Sequence, residues 1–378
     1  MNTDVLIIGA GTAGLIAAYE LLKRGIQPQI IDEAEEVASS WRRRHDQLHL
    51  NSYRAYSSLP GAPLPRRYGA YVRRDDFISY LQEYTANLKQ PIRFGVNARK
   101  IRRNGDKGWL VDTDHDIVSA RHVIVATGPE RQPHTPEWPG QETFQGEFIH
   151  SAEFRHADNY IGKKVLIIGA GNSGVDIGNH LSEVAIGPSW VSVRNGPTMV
   201  PAYVFGISAH IPFMWLRPLP IKVQDFMVVM LGLIFLGDLR KYGLPKPPAG
   251  AVTRNKAEGV IFAIDNGFVK ALKAGRFTVV PEISSFSEQA VHLVDGRTIY
   301  PDAVICATGY RPGLESLVGH LGVLSERGKP HFFADQASSD HPGLWFFGLN
   351  TSIYGYVYSR KREAPPLAEK IGRSLQDY

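Results

Sequence analysis

Cysteine is almost absent: Cys306 is the single one in 378 residues. One thiol closes no intrachain disulfide and forms no Cys-x-x-Cys pair for relaying electrons. A reducing compartment is expected. Long apolar runs are missing too. The stretch Phe226 to Gly237 is apolar throughout but falls short of the roughly 20 residues a membrane-spanning helix needs. It reads as a buried helix, with a helix lying in a membrane interface as the alternative. No spacing of His, Cys and carboxylates suggests a metal site, and no nucleophile elbow occurs. Basic clusters such as Arg42-Arg43-Arg44 and Arg73-Arg74 carry neither a recognition motif nor interleaved stacking aromatics, so nucleic acid is not an expected partner. The net charge of +5 fits attraction of phosphate-bearing small molecules, or plain solvated surface. No basic leader precedes the strand pattern at Asp4, which sets a cytoplasmic expectation, with contact to a membrane surface through 226–237 the exception. Nothing in the sequence sets the oligomeric state.

What is present is a repeated nucleotide-binding pattern. Asp4 to Ile8 is a β-branched run, followed by Gly9-Ala-Gly11-Thr-Ala-Gly14 and a helical apolar spacing from Leu15 to Arg24. Strand, Gly-rich turn and helix in that order give GxGxxG its meaning. Gly9 makes the tight turn, Gly11 admits a pyrophosphate to the backbone, and Gly14 lets helix and strand pack closely. A second strand, Gln29 to Ile31, ends at Asp32, a carboxylate placed for ribose hydroxyls and repelling a 2′-phosphate. The first site should therefore hold FAD or NAD.

The pattern returns at Lys164 to Ile168, then Gly169-Ala-Gly171-Asn172-Ser173-Gly174, a helix to about Leu181, and a strand at Trp190 to Val193 ending in Arg194. An arginine there pairs a phosphate bidentately, so the second site should prefer NADPH. Two further apolar strands, His122 to Val125 and Ala303 to Ile305, run into the turns Ala126-Thr127-Gly128 and Ala307-Thr308-Gly309. A helix is expected over Arg74 to Leu88.

Between the two fingerprints, Phe144-Gln-Gly146-Glu-Phe-Ile-His150-Ser-Ala-Glu-Phe154 fits FxGxxxHxxxF, and on it the chain resembles the flavin-containing monooxygenases. Tyr242 to Gly250 and the overall length are similar to the plant YUCCA members, which decarboxylate indole-3-pyruvate oxidatively. Phe154 is followed by Arg155 rather than Trp-Pro, which disfavours the Baeyer-Villiger subclass. The family's Gly-Gly-x-Trp is here Ser39-Ser40-Trp41. The resemblance implies FAD, NADPH and oxygen as co-reactants and transfer of one oxygen atom from a flavin C4a-hydroperoxide to a small organic substrate. N- or S-oxygenation leads, on Asn51 as the implied catalytic residue, with YUCCA-like decarboxylation of a 2-oxo acid close behind. An NADPH-dependent flavin reductase serving a protein or quinone is the alternative, and a non-catalytic flavin sensor a third.

The expected fold is α/β, with two Rossmann-like dinucleotide-binding domains. An FAD domain would span 1–153 and 286–378, and an inserted NADPH domain 154–285, with an apolar helical insertion near 205–250. The candidate cofactor-binding set is Gly9, Gly11, Thr12, Ala13, Gly14, Asp32, Glu33, Trp41, Ala126, Thr127, Gly128, Gly169, Gly171, Asn172, Ser173, Gly174, Arg194, Thr308 and Gly309. His150 reads as a structural pin, His45 and His49 as lesser pocket candidates. The aromatics at Tyr354, Tyr356 and Tyr358 read as pocket wall or core.

Overall fold

The β-branched run near the start of the chain becomes the strand Asn2–Ile8, buried from Val5 onward. In the computed structural model, which describes residues 2–376, it is central to the sheet of the first of two units, 1–42 with 52–132 and 310–378. Met1, Asp377 and Tyr378 lie outside the described residues. The strand pairs in parallel with Gln29–Ile31 on one side and Ile117–Val125 on the other. Ile117–Val125 is long enough to serve two further partners. Its first half pairs antiparallel with Trp109–Thr113, and its second half pairs parallel with Leu344–Phe346. The helices Thr12–Leu22, Arg74–Leu88 and Tyr356–Gln376 belong to this unit. The helix expected at Arg74 to Leu88 is observed with those bounds.

The second unit comprises 43–51 and 133–309. Its five-stranded sheet is parallel throughout, in the order Phe277–Val280, Ser189–Ser192, Val165–Ile168, Ala303–Cys306, Glu147–His150. The inner strands Val165–Ile168 and Ala303–Cys306 are buried on both faces, as in other parallel sheets. The chain therefore passes between units at 42/43, 51/52, 132/133 and 309/310, not at 153/154 and 285/286. The reason is pairing between distant strands: Glu147–His150 and Ala303–Cys306 bond to each other, and a small antiparallel sheet, Ile283–Phe286 with Val291–Leu293 and Thr298–Ile299, lies between them in sequence.

The core of the first unit contains a titrating group. His122 is buried, and its Nδ1 accepts a hydrogen bond from Trp345 Nε1 at 3.2 Å. Burial, seconded by the neighbouring Arg121 charge and opposed by Asp4, pushes its pKa down to about 4. The unfolded chain, with an ordinary histidine, therefore takes up a proton that the folded chain refuses. This contribution is complete above the unfolded pKa and is lost as pH falls through it toward 4, amounting to about 3 kcal/mol. Denaturant unfolding at pH 7 and pH 4.5 should show the drop, and His122→Gln should flatten it. Equal slopes for the two proteins would remove His122 as the cause.

Candidate functional site

The chain turns out of the first strand at Gly9, where φ is +109° and the amide donates to Ile31 O at 2.8 Å. A Cβ on Gly9 would lie 2.6 Å from Ala126 O, and one on Gly14 would lie 1.8 Å from Gly9 O. Both positions exclude any side chain, and the helix Thr12–Leu22 sits directly on the turn. Gly11 differs: a Cβ there would meet nothing within 4 Å. Gly11 caps the helix without a side-chain hydrogen bond, and no acidic residue occupies the first turn. The uncapped amides and the helix dipole make this end an anion cradle. Thr12 and Ala13, the first helical residues, are buried.

Asp32 holds this loop in shape. Its carboxylate accepts from Ala10 N at 2.6 Å and Ala34 N at 2.9 Å. Glu33 is instead engaged by Arg131, whose Nε donates at 3.1 Å and whose second nitrogen also reaches it. Beside the cradle, the Ala126 amide donates to Ile8 O at 2.8 Å, and Gly128 takes a positive φ. Thr127 Oγ1 is buried with no hydrogen-bond partner among the described residues. Buried polar atoms are normally satisfied, so this orphaned hydroxyl beside an open cradle fits a dinucleotide bound there. Trp41 packs edge-on against Phe77, ring centres 4.8 Å apart.

The second unit repeats this construction. Gly169 has φ +101° and donates to Ser192 O at 2.9 Å. A Cβ on Gly174 would lie 1.9 Å from Gly169 O, while one on Gly171 would meet nothing. Asn172 and Ser173 open the helix Asn172–Leu181, again without a side-chain cap. The Ala307 amide donates to Ile168 O at 2.8 Å, as Ala126 does to Ile8. Thr308 and Gly309, expected to return to the first domain, belong to this second cradle because Ala303–Cys306 pairs with Val165–Ile168.

His150 explains itself here. Its Nδ1 accepts from the Ala152 amide at 3.1 Å, so the proton sits on Nε2, which donates to Gly309 O at 3.1 Å. Burial lowers its pKa, and the neutral ring pins the Thr308-Gly309 turn. Above the turn opens a cleft of about 410 Å³. Arg194 lines it, 76% exposed at the side chain and only loosely paired with Glu282 at 3.7 Å. So does Arg254, which sequence reasoning missed. Its guanidinium is buried, donates to Gly196 O at 3.1 Å, lies 3.6 Å from Glu258 Oε2, and keeps an Nε with no hydrogen-bond partner among the described residues.

Two cradles of one design, each with an orphaned polar group beside it, are what a two-dinucleotide flavoprotein needs. A family model described as pyridine nucleotide-disulphide oxidoreductase matches residues 6–187. An indole-3-pyruvate monooxygenase of the YUCCA group from Oryza sativa subsp. japonica is 32% identical over 326 residues, covering 85% of this chain and 80% of that protein. The chain belongs to the flavin-containing monooxygenase family. A probable indole-3-pyruvate monooxygenase from Arabidopsis thaliana is 30% identical across 98% of this chain and 89% of its own. Among solved structures, the flavin-containing monooxygenase from Stenotrophomonas maltophilia superposes with a TM-score of 0.76 over 99% of both chains, at 24% identity. That likeness establishes the shared fold.

In this monooxygenase Asn51 is exposed, at the end of the segment 43–51. It does not line the cleft described above. His49 is exposed too, its Nδ1 3.0 Å from Gln47 O. Tyr356 donates to Gly348 O at 2.7 Å, which places it in the packing of the first unit. The apolar stretch becomes the helix Ile221–Leu236, and the buried reading fails for most of it: Phe226, Val229, Leu233 and Ile234 are exposed, while Gln224, Val228 and Leu236 are buried. Phe205, Ile207 and Trp215 add to the exposed apolar surface of this insertion. No described helix is long and apolar enough to cross a membrane. Sequence reasoning also found no metal-type cluster, yet His45, Asp176 and His180 converge in the second unit, their ligand atoms within 4.8 Å of one another.

Proposed function

We propose that this flavin-dependent monooxygenase holds FAD in the first cradle and NADPH in the second, and that its substrate is a small 2-oxo acid, decarboxylated with insertion of one oxygen atom. The single observation behind the substrate class is the similarity, 32% over 85% of the chain, to indole-3-pyruvate monooxygenase. Reduced flavin supplies the activation of oxygen. This chain's residues do the rest. The uncapped amides after Gly11 and Gly171 bind the two pyrophosphates, Asp32 orients a ribose, and Arg194 with Arg254 supplies positive charge for the phosphates of NADPH. Asn51 is proposed to donate a hydrogen bond near the reacting oxygen. Its exposure leaves the amide available to a ligand.

The overall balance is one 2-oxo acid, one O2, one NADPH and one proton giving the shortened carboxylate, CO2, water and NADP+. The test is NADPH oxidation by the flavin-loaded protein with a panel of 2-oxo acids, amines and sulfides, with hydrogen peroxide assayed in parallel. The reading predicts that an aromatic 2-oxo acid raises turnover and suppresses peroxide. Suppression by an amine or sulfide alone would move the assignment to heteroatom oxygenation. Fast oxidation only with an added quinone or protein acceptor would favour a reductase.

A further inference from the structure

The segment 43–51 and the helix Asn172–Leu181 meet at a cluster that the dinucleotide sites do not use. Asp176 and His180 are one turn apart on that helix, so they share a face. His45 stands against them, 131 positions from Asp176 in sequence, with its Nε2 2.8 Å from Asp176 Oδ2. Asp176 Oδ1 lies 3.8 Å from His180 Nε2, and the two imidazole rings are centred 5.3 Å apart. His45 is 6% exposed.

The hydrogen bonding of this cluster does not close. His45 Nδ1 and both ring nitrogens of His180 are buried and have no hydrogen-bond partner among the described residues. A buried donor or acceptor left unpaired costs about 1 to 3 kcal/mol, and one carboxylate cannot serve two imidazoles on every side. A cation held between the three side chains would give the His180 nitrogen that faces Asp176 its missing partner, since an imidazole nitrogen offers a lone pair and the carboxylate offers charge.

We propose that His45, Asp176 and His180 form a binding site for a divalent transition-metal ion, zinc by the chemistry of its donors. Two imidazoles and a carboxylate suit zinc, and are a poor set for calcium or magnesium, which take oxygen. A tetrahedral zinc with bonds of about 2.0 to 2.2 Å holds its ligand atoms about 3.3 to 3.6 Å apart. Ligand atoms already within 4.8 Å reach that spacing by small side-chain rotations. Glu183 Oε2 lies 4.0 Å from His180 Nδ1, beyond hydrogen-bond reach, and adds negative charge outside the ligand set. Phe154 packs edge-on against His45, ring centres 5.5 Å apart, and walls the site on one side. Such an ion ties the segment 43–51, which ends at Asn51, to the helix that opens on the second cradle. Its role is to hold that segment in place, and it takes no part in oxygen transfer.

The experiment uses the full flavin-loaded chain. Protein stripped with a chelator and dialysed is titrated with zinc in competition with a chromophoric chelator, then loaded with cobalt(II) and its visible absorption recorded. About one zinc per chain is expected to bind, with cobalt giving the intense ligand-field bands of a four-coordinate site and zinc raising the melting temperature by several degrees. His45→Ala and His180→Ala should each abolish both signals. Absence of binding in the wild-type protein, or undiminished binding in the His45→Ala, His180→Ala double variant, would overturn the site. The wild-type titration decides the matter even if a variant fails to fold. Flavin content and NADPH oxidation of the stripped protein are separate readouts, so failure of the metal site leaves the dinucleotide assignment standing, and the reverse.

Discussion

Gly11→Val is expected to yield a folded protein that purifies colourless. Gly11 has φ −73° and ψ −176°, a conformation valine adopts without strain, and a Cβ there meets nothing in the protein. The added methyls instead fill the space over the uncapped amides that a pyrophosphate must approach. Visible absorbance against far-ultraviolet circular dichroism separates flavin loss from unfolding. Gly14→Ala is the contrasting variant. Its Cβ would sit 1.8 Å from Gly9 O, so helix and strand must part, at a cost we place at about 3 kcal/mol or more, a large share of a domain's stability. Gly14→Ala should therefore lower the melting temperature as well as flavin content. A yellow Gly11→Val protein at full stoichiometry would contradict the first site.

The second large effect concerns the nicotinamide cofactor. Arg194→Ala should weaken NADPH binding by about 10- to 100-fold, the value of about 1.5 to 3 kcal/mol for a charged hydrogen bond, and leave NADH almost unchanged. Arg194 is mostly exposed, and its ion pair with Glu282 spans 3.7 Å. Exposed pairs of that kind contribute about 1 kcal/mol or less, so an incoming 2′-phosphate displaces Glu282 easily. Arg254→Lys keeps the charge but loses the planar fork. If Arg254 meets a phosphate common to both cofactors, this change should weaken NADPH and NADH alike. Equal loss of both in Arg194→Ala would transfer the 2′-phosphate to Arg254.

Both cradles were legible because their information is local. Gly9, Gly11 and Gly14 act within one turn, and the same spacing at Gly169, Gly171 and Gly174 builds the same contacts with Ala307 that the first builds with Ala126. The domain junctions were not legible, because they depend on Glu147–His150 pairing with a strand near residue 305. Arg254 escaped notice since nothing in its neighbours marks it as facing the cleft. The His45, Asp176 and His180 cluster was hidden for the same reason: the Asp-x-x-x-His spacing on the helix is a weak signal until a histidine from the segment 43–51 is brought against it. The helix Ile221–Leu236 shows the opposite failure. Its composition reads as core, yet Phe226 and Ile234 face solvent, since composition alone does not report which face has a neighbour.

The most direct test of the account is turnover under isotopically labelled oxygen. The flavin-loaded enzyme is supplied with NADPH, an aromatic 2-oxo acid and 18O2, and the product acid is analysed by mass spectrometry. A monooxygenase acting on this class places one labelled atom in the product carboxylate, with the other in water. An unlabelled product, or NADPH oxidation that continues at full rate without oxygen once an electron acceptor is added, would contradict it.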